Sequence, residues 1–106
     1  MSGNEKLVRP DAVRLEGSQV ERVRWLRGEP PAKFYPAEAK REGLDGTVVV
    51  DLLINQDGLV LEAQVISESP PGHGFGIAAL DAAKTYEFDN TLKKLVLMSL
   101  VVQFLP

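Results

Sequence analysis

The 106-residue sequence predicts an α+β fold, with a three-stranded antiparallel sheet and two helices packed on one face. Three observations predict it. Residues 46–69 contain two segments, one on each side of a turn signal, in which every second residue is apolar, as expected of a β-hairpin. Helix-forming segments stand before and after this hairpin. The uncharged segment over residues 95–105 supplies a third strand.

The bulk composition predicts a single soluble domain. Its length suits one modest core, and fractions of 44% hydrophobic and 25% charged residues are ordinary for a globular protein. A net charge of -3 argues against nucleic acid as the main partner. Residues 1–42 carry nine of the twelve lysines and arginines. This basic front is either a solvated surface or a weak contact for anionic lipid or cell-wall polymer.

Several classes of function are disfavoured by what the sequence lacks. Without cysteine, there is no disulfide framework, thiolate nucleophile or cysteine-ligated zinc. No apolar stretch reaches the length of about 18 residues that suggests a membrane span, and the first 30 residues lack the apolar run of a signal peptide. We therefore expect either a cytosolic protein or the soluble part of a longer envelope protein, with no cofactor.

The segment over residues 1–29 is expected to be a loosely ordered lead-in with, at most, one short extra strand. In "VERVRWLRG", residues 20–28, the apolar spacing fits a helical face or a strand, and both remain open. We expect Trp25 to cover one end of the core. Pro30 and Pro31 predict an extended segment that begins a second region, residues 30–106.

The first predicted helix is short and follows an aromatic-proline pair. Pro36 suits the first helical position, residues 37–42 favour a helix, and Gly43 ends it. About two turns are marginal in isolation, so packing must stabilise this helix. Phe34, Tyr35 and Ala39 are the groups available for that packing.

The hairpin is predicted from two alternating strands around Asp57-Gly58, a dipeptide that tolerates the positive φ of tight turns. In the first strand, one face carries Val48, Val50, Leu52 and Ile54, and the other carries Thr47, Asp51 and Asn55. In the second strand, residues 59–67, Leu59, Leu61, Ala63 and Val65 alternate with Glu62 and Gln64.

After the hairpin we expect a helix over residues 77–88 that lays Ala79, Leu80, Ala83 and Tyr86 on the sheet. The third strand, "LVLMSLVVQFL", has no charged residue in eleven positions. If this strand is central, its apolar character simply reflects the core. If it lies at an edge, it is a template for another strand, because exposed edges are normally guarded by charge or proline. The residues alone leave both alternatives open.

Candidate catalytic groups are sparse. Gly72, Gly74 and Gly76 precede a helix, but their spacing and the preceding hairpin do not fit a dinucleotide fingerprint. His73 is the one histidine, and no cysteine or triad partner accompanies it. The acidic residues Asp51, Asp57, Glu62 and Glu68 have ordinary turn or strand positions. The sequence therefore predicts a protein that is not an enzyme.

The order of several features resembles the C-terminal domain of the TonB family, the energy transducers of the Gram-negative envelope. The resemblance covers roughly residues 30–105. Its features are Tyr35-Pro36, Ala39, Gly43, Gly46, Val48, Val50, Asp57-Gly58, Ser67, Ala78-Ala79-Leu80, Ala83, Tyr86, Phe88 and Phe104. The departures are Tyr86 where the family often has Trp, Asp89-Asn90 in place of a proline, and an altered loop at Glu68-Ser69-Pro70-Pro71.

This resemblance implies a periplasmic domain whose last strand lies at a sheet edge. There, the TonB box of a TonB-dependent outer-membrane receptor would add as an extra strand. Inner-membrane motor proteins would supply force through upstream segments absent from this sequence, for nutrient uptake. The implied partner-binding residues are Ala32, Lys33, Phe34, Tyr35, Leu97, Ser99, Val101 and Gln103.

A second hypothesis is a TonB-like structural or assembly module. It would pair its free edge with itself, as a homodimer, or with another envelope protein. A cytoplasmic stand-alone domain is the alternative location.

Overall fold

The computed structural model describes residues 6–106, within which the chain forms six β-strands and two α-helices. Their bounds are β1 Val13–Arg14, β2 Val23–Arg27, α1 Ala37–Arg41, β3 Gly46–Ile54, β4 Val60–Ser69, α2 Phe75–Ala83, β5 Glu87–Asn90 and β6 Val96–Phe104. Two short 3-10 helices, Gly17–Arg22 and Pro31–Phe34, connect them. This architecture confirms the predicted α+β class.

The larger sheet has the strand order β1-β6-β3-β4. The central strand β3 is antiparallel to both β4 and β6, which is the predicted three-stranded arrangement. The strand count differs from the prediction in two ways. The short β1 pairs in parallel with the start of β6, and β2 and β5 form a separate two-stranded sheet.

The core lies between α2 and the inner face of β3. The apolar face predicted for β3 is confirmed, because Val48, Val50, Leu52 and Ile54 are all fully buried in one cluster with Phe75 of α2. On the other face, Asp51 and Leu53 are buried as well. The buried side of α2 otherwise consists mainly of alanines, namely Ala78, Ala79, Ala82 and Ala83. Small side chains let a helix lie close to a sheet, so the alanine-rich composition is explained by packing.

The predicted alternation of β4 is wrong in its first half. Leu59 and Leu61 are exposed by about half, 46% and 53%, whereas Val60, Ala63 and Val65 pack against the core. The register shifts twice along β3 and β4. A β-bulge inserts an extra residue and thereby exchanges the faces of the side chains beyond it, which a strict alternation does not anticipate.

The predicted helix over residues 77–88 is also wrong in extent. Helix α2 ends at Ala83, and residues 87–90 form β5 instead. The hydroxyl of Thr85 donates to the Ala82 carbonyl at 2.7 Å, and the Tyr86 N–H donates to the Ala83 carbonyl at 3.1 Å. These two hydrogen bonds close the last turn of α2. The pairing of residues 87–90 with β2 then outweighs the helical pattern of the local sequence.

The segment before residue 30 is more structured than a loose lead-in within residues 6–29. It contains β1, a 3-10 helix and β2, and it buries Leu15 and Val23 in the core. The strand alternative for residues 20–28 therefore holds over Val23–Arg27. Trp25 is 52% exposed and contacts Tyr86 edge-on. Residues 1–5 lie outside the described part, and the division at residue 30 stays a prediction.

The short helix α1 is held by the aromatic residue before it. The Tyr35 hydroxyl donates a hydrogen bond to the carbonyl of Leu44, on the far side of the helix. The Tyr35 ring meets Phe75 and Phe104 edge-on, with ring centroids 5.9 and 5.6 Å apart. Ala39 is the buried residue of the helix itself. These contacts supply the packing that a helix of this length requires.

Candidate functional site

The main sheet has one edge along β4 and another along the part of β6 that β1 does not cover, and these two edges differ in how well they are protected. Strand β4 has two register irregularities, carries Glu62 and Glu68, and is followed directly by Pro70. Bulges, charges and proline all discourage the pairing of a further strand. The β4 edge is therefore protected against strand addition.

The outer edge of β6 is only partly covered. Strand β1 pairs with Val96 and Leu97, through hydrogen bonds from Val13 N–H to the Leu95 carbonyl (2.9 Å) and from Leu15 N–H to the Leu97 carbonyl (2.8 Å). Beyond Leu97, no strand of residues 6–106 pairs with this edge. The sheet thus has an open edge over residues 98–104, which resolves the alternative that the sequence left open.

The alternation of a β-strand decides which backbone groups face that open edge. Leu95 and Leu97 direct their carbonyls away from β3 and toward β1. Because successive residues point to opposite sides, the backbone N–H and C=O groups of Ser99, Val101 and Gln103 face outward as well. The edge has no charged side chain, and Val101 is 56% exposed. The open edge therefore presents the backbone N–H and C=O groups of three residues, which can form hydrogen bonds with an added strand.

A buried carboxylate lies next to this edge, on the face of the sheet opposite the helices. Asp51 is fully buried and accepts hydrogen bonds from both terminal nitrogens of Arg14, from the Leu7 N–H at 2.8 Å and from the Ser99 hydroxyl at 3.1 Å. Burial alone would raise the pKa of Asp51, but the hydrogen bonds and the charge of Arg14 outweigh it and hold the pKa below its ordinary value. The sequence pattern placed Asp51 on the second face of the first hairpin strand, but it did not predict its hydrogen bonds with Arg14, Leu7 and Ser99.

The structure brings most of the predicted partner-binding residues to one end of the sheet. The 3-10 helix Pro31–Phe34 contacts β6, so Ala32 and Lys33, both exposed, lie near the open edge. Phe34 and Tyr35 are partly buried. Lys33 pairs with Glu29 at 3.1 Å. This segment therefore flanks β6, as the resemblance implies.

Leu97 differs from the other predicted residues of β6. Its side chain is only 3% exposed, and its carbonyl already accepts the hydrogen bond from Leu15. It lies at the boundary between the part of the edge that β1 covers and the open part. Its role as a contact residue stays a prediction.

An apolar groove accompanies the open edge, and sequence reasoning missed it. It has a volume of about 320 Å³ and is lined by Trp25, Glu29, Pro30, Pro31, Tyr86, Leu100 and Val101. Its walls come from β2, the proline segment, the turn after α2, and β6. The single tryptophan, Trp25, was the one signal in the sequence, but Tyr86, Leu100 and Val101 are distant from it along the chain.

The candidate catalytic groups are not brought together. His73 is exposed in the loop before α2, and Glu68 accepts a hydrogen bond from the Gly76 N–H at 3.0 Å. Residues 6–106 contain no group of three or more His, Cys, Asp or Glu side chains that could hold a metal ion. Within the same part of the chain, no helix has the length and apolar character needed to span a bilayer.

Comparison with known proteins agrees with this geometry. The family model for the Gram-negative bacterial TonB protein C-terminal region matches residues 31–102. The solution NMR structure of the Pseudomonas aeruginosa TonB C-terminal domain superposes with a TM-score of 0.59 at 25% identity, covering 86% of this chain and 90% of that one. No curated protein sequence matches. This chain belongs to the family of TonB C-terminal domains.

Proposed function

We propose that this domain binds the TonB box of an outer-membrane receptor by β-strand addition and transmits force to it for nutrient uptake. The observation that carries the proposal is the open, uncharged edge of β6 beyond Leu97. Family membership supports the same class of function, an interaction domain rather than an enzyme. The proposed contact residues are Ala32, Lys33, Phe34, Tyr35, Ser99, Val101 and Gln103, with Leu97 at the boundary of the site.

The length of the open edge sets the length of the partner segment. Residues 98–104 form one strand, and a strand rises about 3.3 Å per residue, so the edge is roughly 20 Å long. Backbone hydrogen bonds provide the affinity of strand addition, and side-chain contacts provide its specificity. A matching partner is therefore an extended segment of about seven residues.

Strand addition also suits the transmission of tension. The ladder hydrogen bonds run perpendicular to the strands, so a pull along the added strand is shared among them. Force from inner-membrane motor proteins would pass through the domain to the added strand. This role places the domain in the periplasm, the compartment between the motor and the receptor.

Titration of the isotope-labelled domain with synthetic TonB-box peptides from receptors of the same cell tests the proposal. We expect chemical-shift changes concentrated on the amides of Ser99, Val101 and Gln103 and on Lys33–Tyr35. The matched control is the β4 edge, where the amides of Leu61 and Ala63 should not change. A folded monomer with no change along β6 would overturn strand addition.

Self-pairing of the same edge is the second candidate function. The three outward-facing residues are symmetric about Val101, so an antiparallel second copy could place Ser99 opposite Gln103. Such a contact would make a homodimer or an assembly module. Sedimentation over a range of protein concentrations tests it, because a concentration-independent monomer would rule out this pairing.

A further inference from the structure

We propose that the Trp25 groove, the surface between Trp25, Pro30, Pro31, Tyr86 and Leu100, receives one apolar side chain of the added strand. This inference rests on the proposed function, since it requires a strand at the open edge of β6. It goes beyond that function by assigning the chemistry of the bound segment and the residues that select it.

The position of the groove follows from the alternation of β6. Leu100 packs on the core side of the sheet, whereas Ser99 and Val101 belong to the opposite face. A strand added beside β6 alternates in the same way, and its side chain nearest Leu100 lies on the core side. The Trp25 groove extends to Val101, but its lining residues Tyr86 and Leu100 both pack with the core, so the groove opens on the core side of the edge. One side chain of the partner must therefore lie over it.

The chemistry of the lining favours an apolar side chain. Trp25 is 52% exposed and meets Tyr86 at right angles, with ring centroids 6.1 Å apart, and the two prolines add further apolar surface. Glu29 is the only acidic or basic residue in the lining, and it pairs with Lys33. An anionic partner side chain would lose water there and face Glu29, and a cationic one would have to compete with Lys33 for that carboxylate.

Part of the groove lies outside the region that the TonB family model matches. Trp25 and Pro30 precede residue 31, where that match begins, whereas Tyr86 and Leu100 lie within it. The matched region thus supplies the strand edge and part of the groove, and the segment before it supplies Trp25, Glu29 and Pro30. We infer that residues 23–30 help to select among partner segments that the edge alone would accept.

A double-mutant cycle tests the assignment. The parent is a seven-residue TonB-box peptide, and each apolar residue is replaced by alanine in turn. Trp25→Ala should weaken binding of the parent about tenfold and leave unchanged the affinity of the one alanine peptide that lacks the groove residue. The control is Leu26→Ala, because Leu26 is 50% exposed on the same strand but does not line the groove.

A second measurement needs no variant. Trp25 is the one tryptophan of the chain, so its indole N–H signal reports on the groove in the unmodified protein. We expect this signal to shift with the parent peptide and less with the alanine peptide. Shifts on Ser99–Gln103 with a silent indole and an unaffected Trp25→Ala variant would overturn the groove assignment alone.

Two other outcomes would also decide against the assignment. If no peptide perturbs β6, both the proposed function and the groove assignment fail. If the indole signal depends on protein concentration without peptide, the groove belongs to a second copy of this chain.

Discussion

Arg14 in β1 holds the fully buried carboxylate of Asp51 in β3 with two hydrogen bonds, 2.7 Å from Nη1 to Oδ1 and 2.6 Å from Nη2 to Oδ2. The Arg14 side chain is 24% exposed and the Asp51 side chain is fully buried, so this ion pair is largely desolvated. Together with the bond from the Leu7 N–H, it fastens residues 7–14 to the middle of the sheet. It also keeps β1 against the start of β6, and thereby sets where the open edge begins.

The first prediction concerns this ion pair. Arg14→Met should lower the free energy of unfolding by about 3 kcal/mol, because it leaves a buried carboxylate without its cation. It should also speed amide exchange at Val13 and Leu15, which lose their anchor. Chemical denaturation and hydrogen exchange measure the two effects. The control is Arg27→Met, which breaks the exposed pair with Glu87 and should cost less than about 1 kcal/mol.

The second prediction is a dependence of stability on pH. The pKa of Asp51 is lowered in the folded protein, so its stabilising contribution is complete above the unfolded value of about 3.9 and is lost as pH falls through the folded pKa. Asp51→Asn should flatten the fall in unfolding free energy below about pH 4. The exposed Asp81→Asn is the control variant. Equal acid dependence of wild type and Asp51→Asn would contradict this assignment.

The third prediction separates backbone pairing from side-chain contact at the edge. Val101→Pro removes an outward N–H and leaves the β3 ladder intact, because Val101 directs its backbone groups away from β3. The domain should stay folded and lose peptide binding by at least about tenfold. Val101→Thr keeps the N–H and should bind nearly as well as wild type. Retained binding in Val101→Pro, measured by peptide titration, would place the partner elsewhere.

The fourth prediction concerns the start of α2. Gly74, at the N-cap, has no side chain to satisfy the first amides, and Glu68 of β4 accepts the Gly76 N–H instead. Glu68→Ala should lower the unfolding free energy by about 1 kcal/mol, and Glu68→Gln by less, since an amide oxygen still accepts. Thermal denaturation checks both. Glu62→Ala, at an exposed position on the same strand, should have little effect.

The fifth prediction concerns the bond from Tyr35 to Leu44 across α1. Tyr35→Phe retains the ring contacts with Phe75 and Phe104 and removes only the hydroxyl. We expect a loss of about 1 kcal/mol in unfolding free energy and faster exchange of the α1 amides. Unchanged stability would show that solvent satisfies the Leu44 carbonyl equally well.

The sequence by itself determined the class of fold and its central elements. The apolar face of β3, the Asp57-Gly58 turn and the uncharged β6 each depend on local rules of backbone geometry and burial, and these rules act within a few residues. The same local rules located α1, because Pro36 and Gly43 delimit it. The resemblance to the TonB family added the expectation that β6 lies at an edge.

Only the tertiary structure decided how distant segments meet. Helix α2 ends early because β5 pairs with β2, about sixty residues away in sequence, and the bulges in β4 arise from pairing with β3. The partnership of Arg14 with Asp51 and the groove between Trp25 and Leu100 likewise join separate segments. Residue spacing does not encode such contacts, because their free energy depends on burial that exists only once the chain has folded.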